Sequence, residues 1–460
     1  MARGKKAAQG LTPEEKLAQA LVPVEEQPYQ IPENWCWTRL SELSSVISKG
    51  TTPKGGKEAY VSEGVKFLRV ENLNDDGSIS HNNISYITEE MHRGFLKRSM
   101  LQSSDILISI AGTLGKTGIV REIDLPLNTN QAISFVRLKN HSISAKYIKY
   151  SMDNPATQKL LLAKTKATSI PNLTLEIISN CLIPLPPLAE QRRIVDRIES
   201  IFAKLDEAKE KTQTVVDGFE LRKSAILHKA FTGELTAKWR EEHGLTLDSW
   251  ELIKFGNLGN LERGRSKHRP RNDPKLFGGV YPFIQTGDVA KAGMYITEHS
   301  QTLSDFGMEQ SRIFPKETLC ITIAANIGDV SILSYDCCFP DSVVGFTPND
   351  KTTSKFIYYM MSTIQNELEE AAPATAQKNI NLKMLSDLEL NIPSIDEQNK
   401  IIFLLEYLFE KEEKAKEAAE SVLDQIDTMK KAVLARAFRG ELGTNDPTEE
   451  SAVELLKTVL

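Results

Sequence analysis

The chain has 460 residues, of which 40% are hydrophobic, 26% charged and 7% aromatic; this excludes collagenous, disordered and membrane-spanning classes and leaves room for roughly two to four domains. Lys plus Arg number 56 against 62 for Asp plus Glu, a net charge of −6, so the sum makes no case for nucleic acid and the distribution along the chain has to be read instead. Five cysteines (Cys36, Cys181, Cys320, Cys337, Cys338), odd in number and without Cys-x-x-Cys spacing, exclude a disulfide framework and a zinc site and read as buried thiols in a reducing, cytoplasmic setting.

Residues 1–30 form an N-terminal segment whose basic start runs into Thr12-Pro13-Glu14-Glu15-Lys16, without the apolar stretch of a secretion signal. Residues 31–185 hold short β-branched runs bounded by Gly, Pro or Asn, among them Lys66-Phe67-Leu68-Arg69-Val70 and Ile106-Leu107-Ile108-Ser109-Ile110-Ala111, and read as a mostly-β globule with a helix over 146–164 near its end. After Pro184, Pro186 and Pro187, residues 186–242 carry an apolar spacing of about 3.5 that predicts a long amphipathic helix ending at Gly233. Residues 243–392 form a second globule, with Pro282-Phe283-Ile284-Gln285-Thr286 and Leu319-Cys320-Ile321-Thr322-Ile323-Ala324 as strands and a helix over 354–370. A second long helix occupies 393–442 and ends at Gly440, before a tail at 443–460.

The two halves repeat. At an offset of 207 residues Glu190-Gln191 meets Glu397-Gln398, and Ala230-Phe231-Thr232-Gly233-Glu234-Leu235 meets Ala437-Phe438-Arg439-Gly440-Glu441-Leu442, so the plan is globule, rod, globule, rod. The matching seams, represented by Ile194, Ile198, Leu205, Phe219 and Ile226 and by Ile401, Leu405, Leu408, Ile426 and Val433, predict mutual pairing as a coiled-coil spacer roughly 60 Å long.

Catalytic motifs are missing. Gly112-Thr113-Leu114-Gly115-Lys116-Thr117 resembles a phosphate-binding loop but has Ile110 where the first glycine belongs, and the equivalent Ala325-Asn326-Ile327-Gly328-Asp329 puts an acid in place of the lysine, so both read as strand turns. No Gly-x-Gly-x-x-Gly, no (Asp/Asn)-Pro-Pro-(Tyr/Phe) and no complete nuclease motif occurs, and no metal site is predicted. His92 and His228 read as surface or helix-face residues, and Asp75-Asp76-Gly77 as a turn.

What the sequence does offer is cation-rich loops. The second globule has Arg263, Arg265, Lys267, Arg269 and Arg271, alternating with small residues and Pro270, and the first has Lys49, Lys54 and Lys57 around Gly50. Both sets are taken to follow the first strand of their globule. Such cations suit phosphate and guanine contacts. Asn72, Asn128, Asn130, Gln131, Gln285, Asn326 and Gln377 are candidate base readers near strand ends, and Arg69 is a further DNA-binding candidate. The rods' outer acids Glu199, Glu207, Glu210, Glu412, Glu413 and Glu417 disfavour DNA and are expected to face protein.

Two variable globules, each followed by a helix opening Leu188-Ala189-Glu190-Gln191 or Ile395-Asp396-Glu397-Gln398 and ending near Gly-Glu-Leu, together with Ile31-Pro32-Glu33-Asn34-Trp35 before the first, resemble the specificity subunit of type I restriction-modification enzymes over nearly the whole chain. The resemblance implies an α+β fold of two target recognition domains joined by two antiparallel coiled-coil helices, each domain reading one half of a split, asymmetric double-stranded DNA site. It also implies two modification (methyltransferase) subunits and restriction (translocase/nuclease) subunits as partners. S-adenosylmethionine, ATP and Mg2+ then belong to those partners, and this chain is non-catalytic, with no cofactor of its own and no membrane association. Major grooves on one face recur about every 34 Å, so the rods are expected to act as a ruler for the unread bases. The rival readings are a stand-alone coiled-coil adaptor without DNA sequence specificity and a cryptic nuclease or methyltransferase.

Overall fold

In the computed structural model the described residues are 12–163, 165, 172–324, 327–371 and 380–460, with the side chains of Lys57 and of residues 366–371 also left aside. The candidate readers Asn326 and Gln377 therefore lie outside the described residues. The chain divides into two compact units, one of residues up to 211 together with 422–460, the other of residues 212–421. Among the described residues no helix is long and apolar enough to cross a membrane.

The first globule is closed by Cys36–Arg39 pairing antiparallel with Leu182–Leu185, which joins its two ends. Inside lie a four-stranded antiparallel sheet in the order Ser44–Lys49, Ile133–Leu138, Ile106–Ser109, Thr117–Ile119, and a three-stranded sheet of Ser85–Ile87, Val65–Leu68 and Leu127–Thr129. The run Ile106–Ser109 is buried throughout because side chains alternate across a strand: Ile106 and Ile108 enter one core with Val136, Tyr147 and Ile148, while Leu107 enters another with Leu68, Leu127 and Phe135. That double burial explains why the run is continuously apolar rather than alternating.

The second globule repeats the scheme. Glu251–Lys254 pairs with Glu389–Ile392 to join its ends. A five-stranded sheet runs Gly259–Arg263, Val343–Pro348, Leu319–Thr322, Val330–Leu333, Tyr295–Ile296, and a four-stranded sheet runs Gln301–Leu303, Phe277–Phe283, Cys337–Cys338, Ile313–Phe314. Again the central strand divides its residues, Leu319 and Ile321 to one core and Cys320 to the other.

Helix boundaries depart from the sequence reading in three places. The helix expected over 146–164 is two, Ala145–Asp153 and Pro155–Ala163, because proline disfavours helical backbone in the residue before it; its counterpart Ser354–Ala371 is unbroken. Short helices, Leu175–Ser179 and Leu382–Ser386, precede the last strand of each globule. The central rod is Leu188–Asp217 followed by Phe219–Phe231, interrupted at Gly218, whereas the distal rod Ile395–Ala437 is continuous. Gly233 (φ +80°) and Gly440 (φ +75°) stop the rods in the left-handed conformation that favours glycine.

Within the first unit the central helix meets the end of the distal helix: Lys209 pairs with Asp427 at 3.0 Å, Lys430 with Asp206, and the Lys430 ammonium lies 5.2 Å from the Phe202 ring centroid. Within the second unit Arg222 binds Glu412 at 2.7 Å and the Lys416 ammonium lies 4.8 Å from the Phe219 ring centroid. Numbers fall on one helix as they rise on the other, so the pairing is antiparallel. The predicted seam residues divide into two groups. Ile194 and Ile198 enter the first globule's core and Ile401 and Leu405 the second's, with Ile226 and Val433 packed against those cores. Leu205 and Leu408 are half-buried, and Phe219 and Ile426 are buried.

Both N- and C-terminal stretches complete the first core. Ala20 joins it from Pro13–Ala20, and Ala452, Leu456 and Val459 join it from Ala452–Val459. The tail is held by the bidentate pair Arg193–Glu449 (2.7 and 2.8 Å) and by Asn34, whose carbonyl accepts from the Ala452 amide.

Candidate nucleic-acid interface

The first cationic loop leaves the strand Ser44–Lys49 through Gly50, whose amide donates to the Ile133 carbonyl at 3.0 Å. A Cβ on Gly50 would lie 2.1 Å from the Asn130 carbonyl oxygen and 2.3 Å from that of Thr129, so the close approach requires glycine. The Thr51 amide then donates to the Thr129 carbonyl, the Thr52 hydroxyl bonds Gln131, and Arg98 donates to the Thr51 hydroxyl at 3.3 Å. Lys54 extends over the exposed Phe95 ring, its ammonium 5.0 Å from the centroid. Lys49, Lys54, Arg98, Asn130 and Gln131 are thus gathered on one loop cluster; the Lys57 side chain lies outside the described ones.

The second loop is anchored in the same way. Gly264 donates to the Val343 carbonyl at 2.8 Å and Arg265 N–H to the Phe339 carbonyl at 3.1 Å, while a Cβ on Gly264 would meet the Phe339 and Pro340 carbonyl oxygens at 2.3 Å. Each loop follows the second strand of its globule, not the first as read from the sequence, because a short strand joining the globule's ends precedes it. The cations differ in availability. Arg271 is neutralised by Asp341, its Nη2 donating to both carboxylate oxygens (2.9 and 2.8 Å). Arg263 donates to the Asp341 carbonyl and Arg269 to the carbonyls of Ser266 and His268, bonds that fix the guanidinium while leaving its charge. Among the described residues Arg263, Arg265, Lys267 and Arg269 have no carboxylate partner, which leaves their charge for phosphate.

Several candidate readers turn inward. Asn72 is 2% exposed; its Oδ1 accepts from the Arg69 amide and its Nδ2 donates to the Asn82 carbonyl, so it secures a turn. The Arg69 guanidinium is engaged by Glu71 at 2.5 Å. Asn128 is fully buried, donating to His92 Nδ1 and the Leu96 carbonyl. His92 lies on a helix, Glu89–Arg93, one of the two positions expected for it, but on a buried face rather than at the surface, and burial lowers its pKa. Asn130 accepts from the Ala132 amide but stays half-exposed, and Gln131 and Gln285 are exposed.

Gly115 (φ +77°) lies between two antiparallel strands and the neighbouring Lys116 pairs with Asp75 at 2.8 Å; Gly328 (φ +83°) lies between the equivalent pair of strands. Asp76 accepts from the Ser78 amide across the Gly77 turn. All five thiols are free and buried; burial pushes Cys36 and Cys337 up to about 12 and Cys338 to about 11. No group of three or more His, Cys, Asp and Glu suited to a metal ion occurs among the described residues.

Of the acids expected to face protein, Glu199 is paired with Lys146, Glu207 with Lys211 and Glu412 with Arg222, while Glu413 and Glu417 are exposed. Sequence reasoning overlooked the residues that anchor each rod to its globule. Glu190 and Glu397 are buried, and each accepts a hydrogen bond from an indole, Trp35 Nε1 at 2.9 Å and Trp250 Nε1 at 3.0 Å. Gln191 and Gln398 donate to the carbonyls of Pro186 and Pro393, the residues immediately after the strand that precedes their helix. Their repetition at a fixed offset was visible; their burial was not.

A family model described as "Type I restriction modification DNA specificity domain" matches residues 32–216 and 248–421. The chain is 31% identical over 216 residues to the type I restriction enzyme EcoBI specificity subunit of Escherichia coli, covering 46% of this chain and 44% of that one, so the match spans under half of that relative. It is 23% identical over 425 residues to the putative MjaX specificity subunit of Methanocaldococcus jannaschii, covering 90% and 95%. Among solved structures, the HsdS subunit from Thermoanaerobacter tengcongensis has the same fold, with a TM-score of 0.63 at 19% identity, covering 91% of this chain and all of that one. A repeat of two globules, each with a helix locked to it by a buried Glu-Gln pair, is matched domain for domain by that model, and the chain belongs to the type I restriction-modification DNA specificity family.

Proposed function

We propose that this chain is the DNA-specificity subunit of a type I restriction-modification complex, its two globules reading the two halves of a split, asymmetric double-stranded site. The observation that supports the reading is that one scaffold, used twice, carries two different cationic loops at equivalent positions, each pinned by a glycine against the equivalent turn of its own globule. A shared scaffold with unlike contact residues suits two unlike half-sites in one duplex. The chain contributes recognition and assembly; methyl transfer with S-adenosylmethionine, and ATP- and Mg2+-dependent translocation and cleavage, fall to two modification subunits and to restriction subunits in the cytoplasm. Exposed acids such as Glu413 and Glu417 on the distal rod are the places for protein rather than DNA to dock.

Genome-wide methylation mapping in cells carrying the cognate modification subunit, with and without this chain, tests the reading. A split, asymmetric methylated motif that disappears with the chain is expected. Retention of the motif without the chain would favour a stand-alone adaptor, for which DNA association is weak and insensitive to salt.

A further inference from the structure

The second globule contains a cleft of about 440 Å3 beside its cationic loop. It is lined by Phe277 and Phe283 together with Arg265, Gln285, Gln301 and Gln310. Phe283 lies opposite Gln301 in the antiparallel pairing, and Gln285 follows two residues on, so the fold brings the two amides together. Gln285 Nε2 donates to Gln301 Oε1 at 2.9 Å. Asp288 steadies both flanks, accepting from the Gln285 amide and the Ser300 hydroxyl at 2.7 Å each. Outside that bond the pair keeps an amide oxygen on one glutamine and an amide nitrogen on the other, an acceptor atom and a donor atom, and exchanging oxygen and nitrogen on both amides together leaves one of each again.

That array matches one base edge better than its rivals. Adenine displays in the major groove an N6 donor beside the N7 acceptor, guanine displays two acceptors, and the pyrimidines lack the pair. The equivalent register in the first globule supports a recognition role rather than a scaffolding one. There Phe67 lies opposite Ser85, and Arg69 follows two residues on, tied to Glu71. The same two positions on the same pair of strands therefore carry an amide pair in one globule and a serine and a neutralised arginine in the other.

We infer that Gln285 and Gln301 together read one adenine in the half-site of the second globule, with Arg265 placed to hold the adjoining backbone phosphate. The inference rests on the DNA-reading role proposed above and names the residues and base through which one half of it is exercised.

The test is methylation mapping with the complete complex carrying Gln301→Glu. A carboxylate offers only acceptors and repels adenine N7, so adenine at one position of one half-site is expected to fall by about ten-fold or more relative to the other bases, with cytosine, whose N4 donates, gaining most. The other half-site keeps every letter. An unchanged motif overturns the inference. So does a uniform loss at all sites with the letters unchanged, which would mark the pair as structural. Should the Glu variant fail to assemble, Gln285→Ala is scored by the same criteria. A wild-type motif that persists without the chain would instead defeat the DNA-reading role itself, an outcome distinct from both.

Discussion

The repeated glutamates show how equivalent residues acquire different chemistry. Glu397 Oε1 accepts from the Arg240 guanidinium at 2.5 Å and from the Thr236 hydroxyl at 2.6 Å, the ion pair being almost wholly buried. Glu190 has the Trp35 indole and a 3.5 Å bond from Thr444, while its neighbour Arg193 is engaged with Glu449; burial raises its pKa. Opposite outcomes are expected from the same substitution. Glu397→Gln leaves the Arg240 charge buried without a counterion, a loss of about 3 kcal/mol or more. Glu190→Gln removes a carboxyl whose charged form burial disfavours, keeps an oxygen to accept from the Trp35 indole, and leaves stability near the wild-type value at neutral pH. Because the folded-state pKa of Glu190 lies above the unfolded one, the wild type binds the extra proton when folded, and that contribution is lost as pH rises from the ordinary glutamate range through the raised value. Urea unfolding of both variants across mildly acidic to neutral pH measures this, and the slope belonging to Glu190 should vanish in Glu190→Gln. Neither behaviour was legible in the sequence, where the two sites read alike, because the partners Arg240 and Glu449 fall outside the matching stretch.

At the scale of elements, the strands and rods were legible because hydrophobic period survives in the sequence, whereas breaks depended on single residues. Pro155 splits one helix while its counterpart stays whole, and Gly218 interrupts one rod opposite an unbroken partner. The cationic loops were legible as composition, and their anchoring was not, since Gly50 and Gly264 matter through backbone atoms some 80 residues away. Gly50→Ala and Gly264→Ala should each cost about 1–3 kcal/mol through overpacking and displace only the loop of their own globule. Methylation mapping is then expected to show one degraded half-site in each variant, a different one for each. Equal damage to both halves in either variant would contradict the independence of the loops. The cleft at Gln301 was illegible for a related reason: Gln301 and Gln310 stand far from the loop in sequence and reach it only through strand pairing and a helix end.

For the molecule as a whole, the internal repeat gave away the architecture, since a sequence that matches itself across a rod must build the same unit twice. Net charge pointed the other way. The −6 total conceals loops in which, among the described residues, Lys49, Lys54, Arg263, Arg265, Lys267 and Arg269 have no carboxylate partner while Arg271 is paired with Asp341, so affinity for DNA should be strongly salt-dependent despite an acidic chain. Each phosphate contact contributes a slope of about −0.9 in log affinity against log salt. Titrating the assembled complex with Lys49→Ala, Lys54→Ala or Lys267→Ala is expected to lower that slope by about one each while leaving the methylated motif intact; a change of motif would mean that the lysine reads bases.

The first unit is built from both ends of the chain, with Ala452–Val459 seated in the same core as Ala20, whereas the second is one uninterrupted stretch from 212 to 421. Order of synthesis and order of completion are therefore reversed. The core begun before residue 211 stays unsealed until residues 422–459 have been made, while residues 212–421 need nothing from outside their own stretch to close theirs.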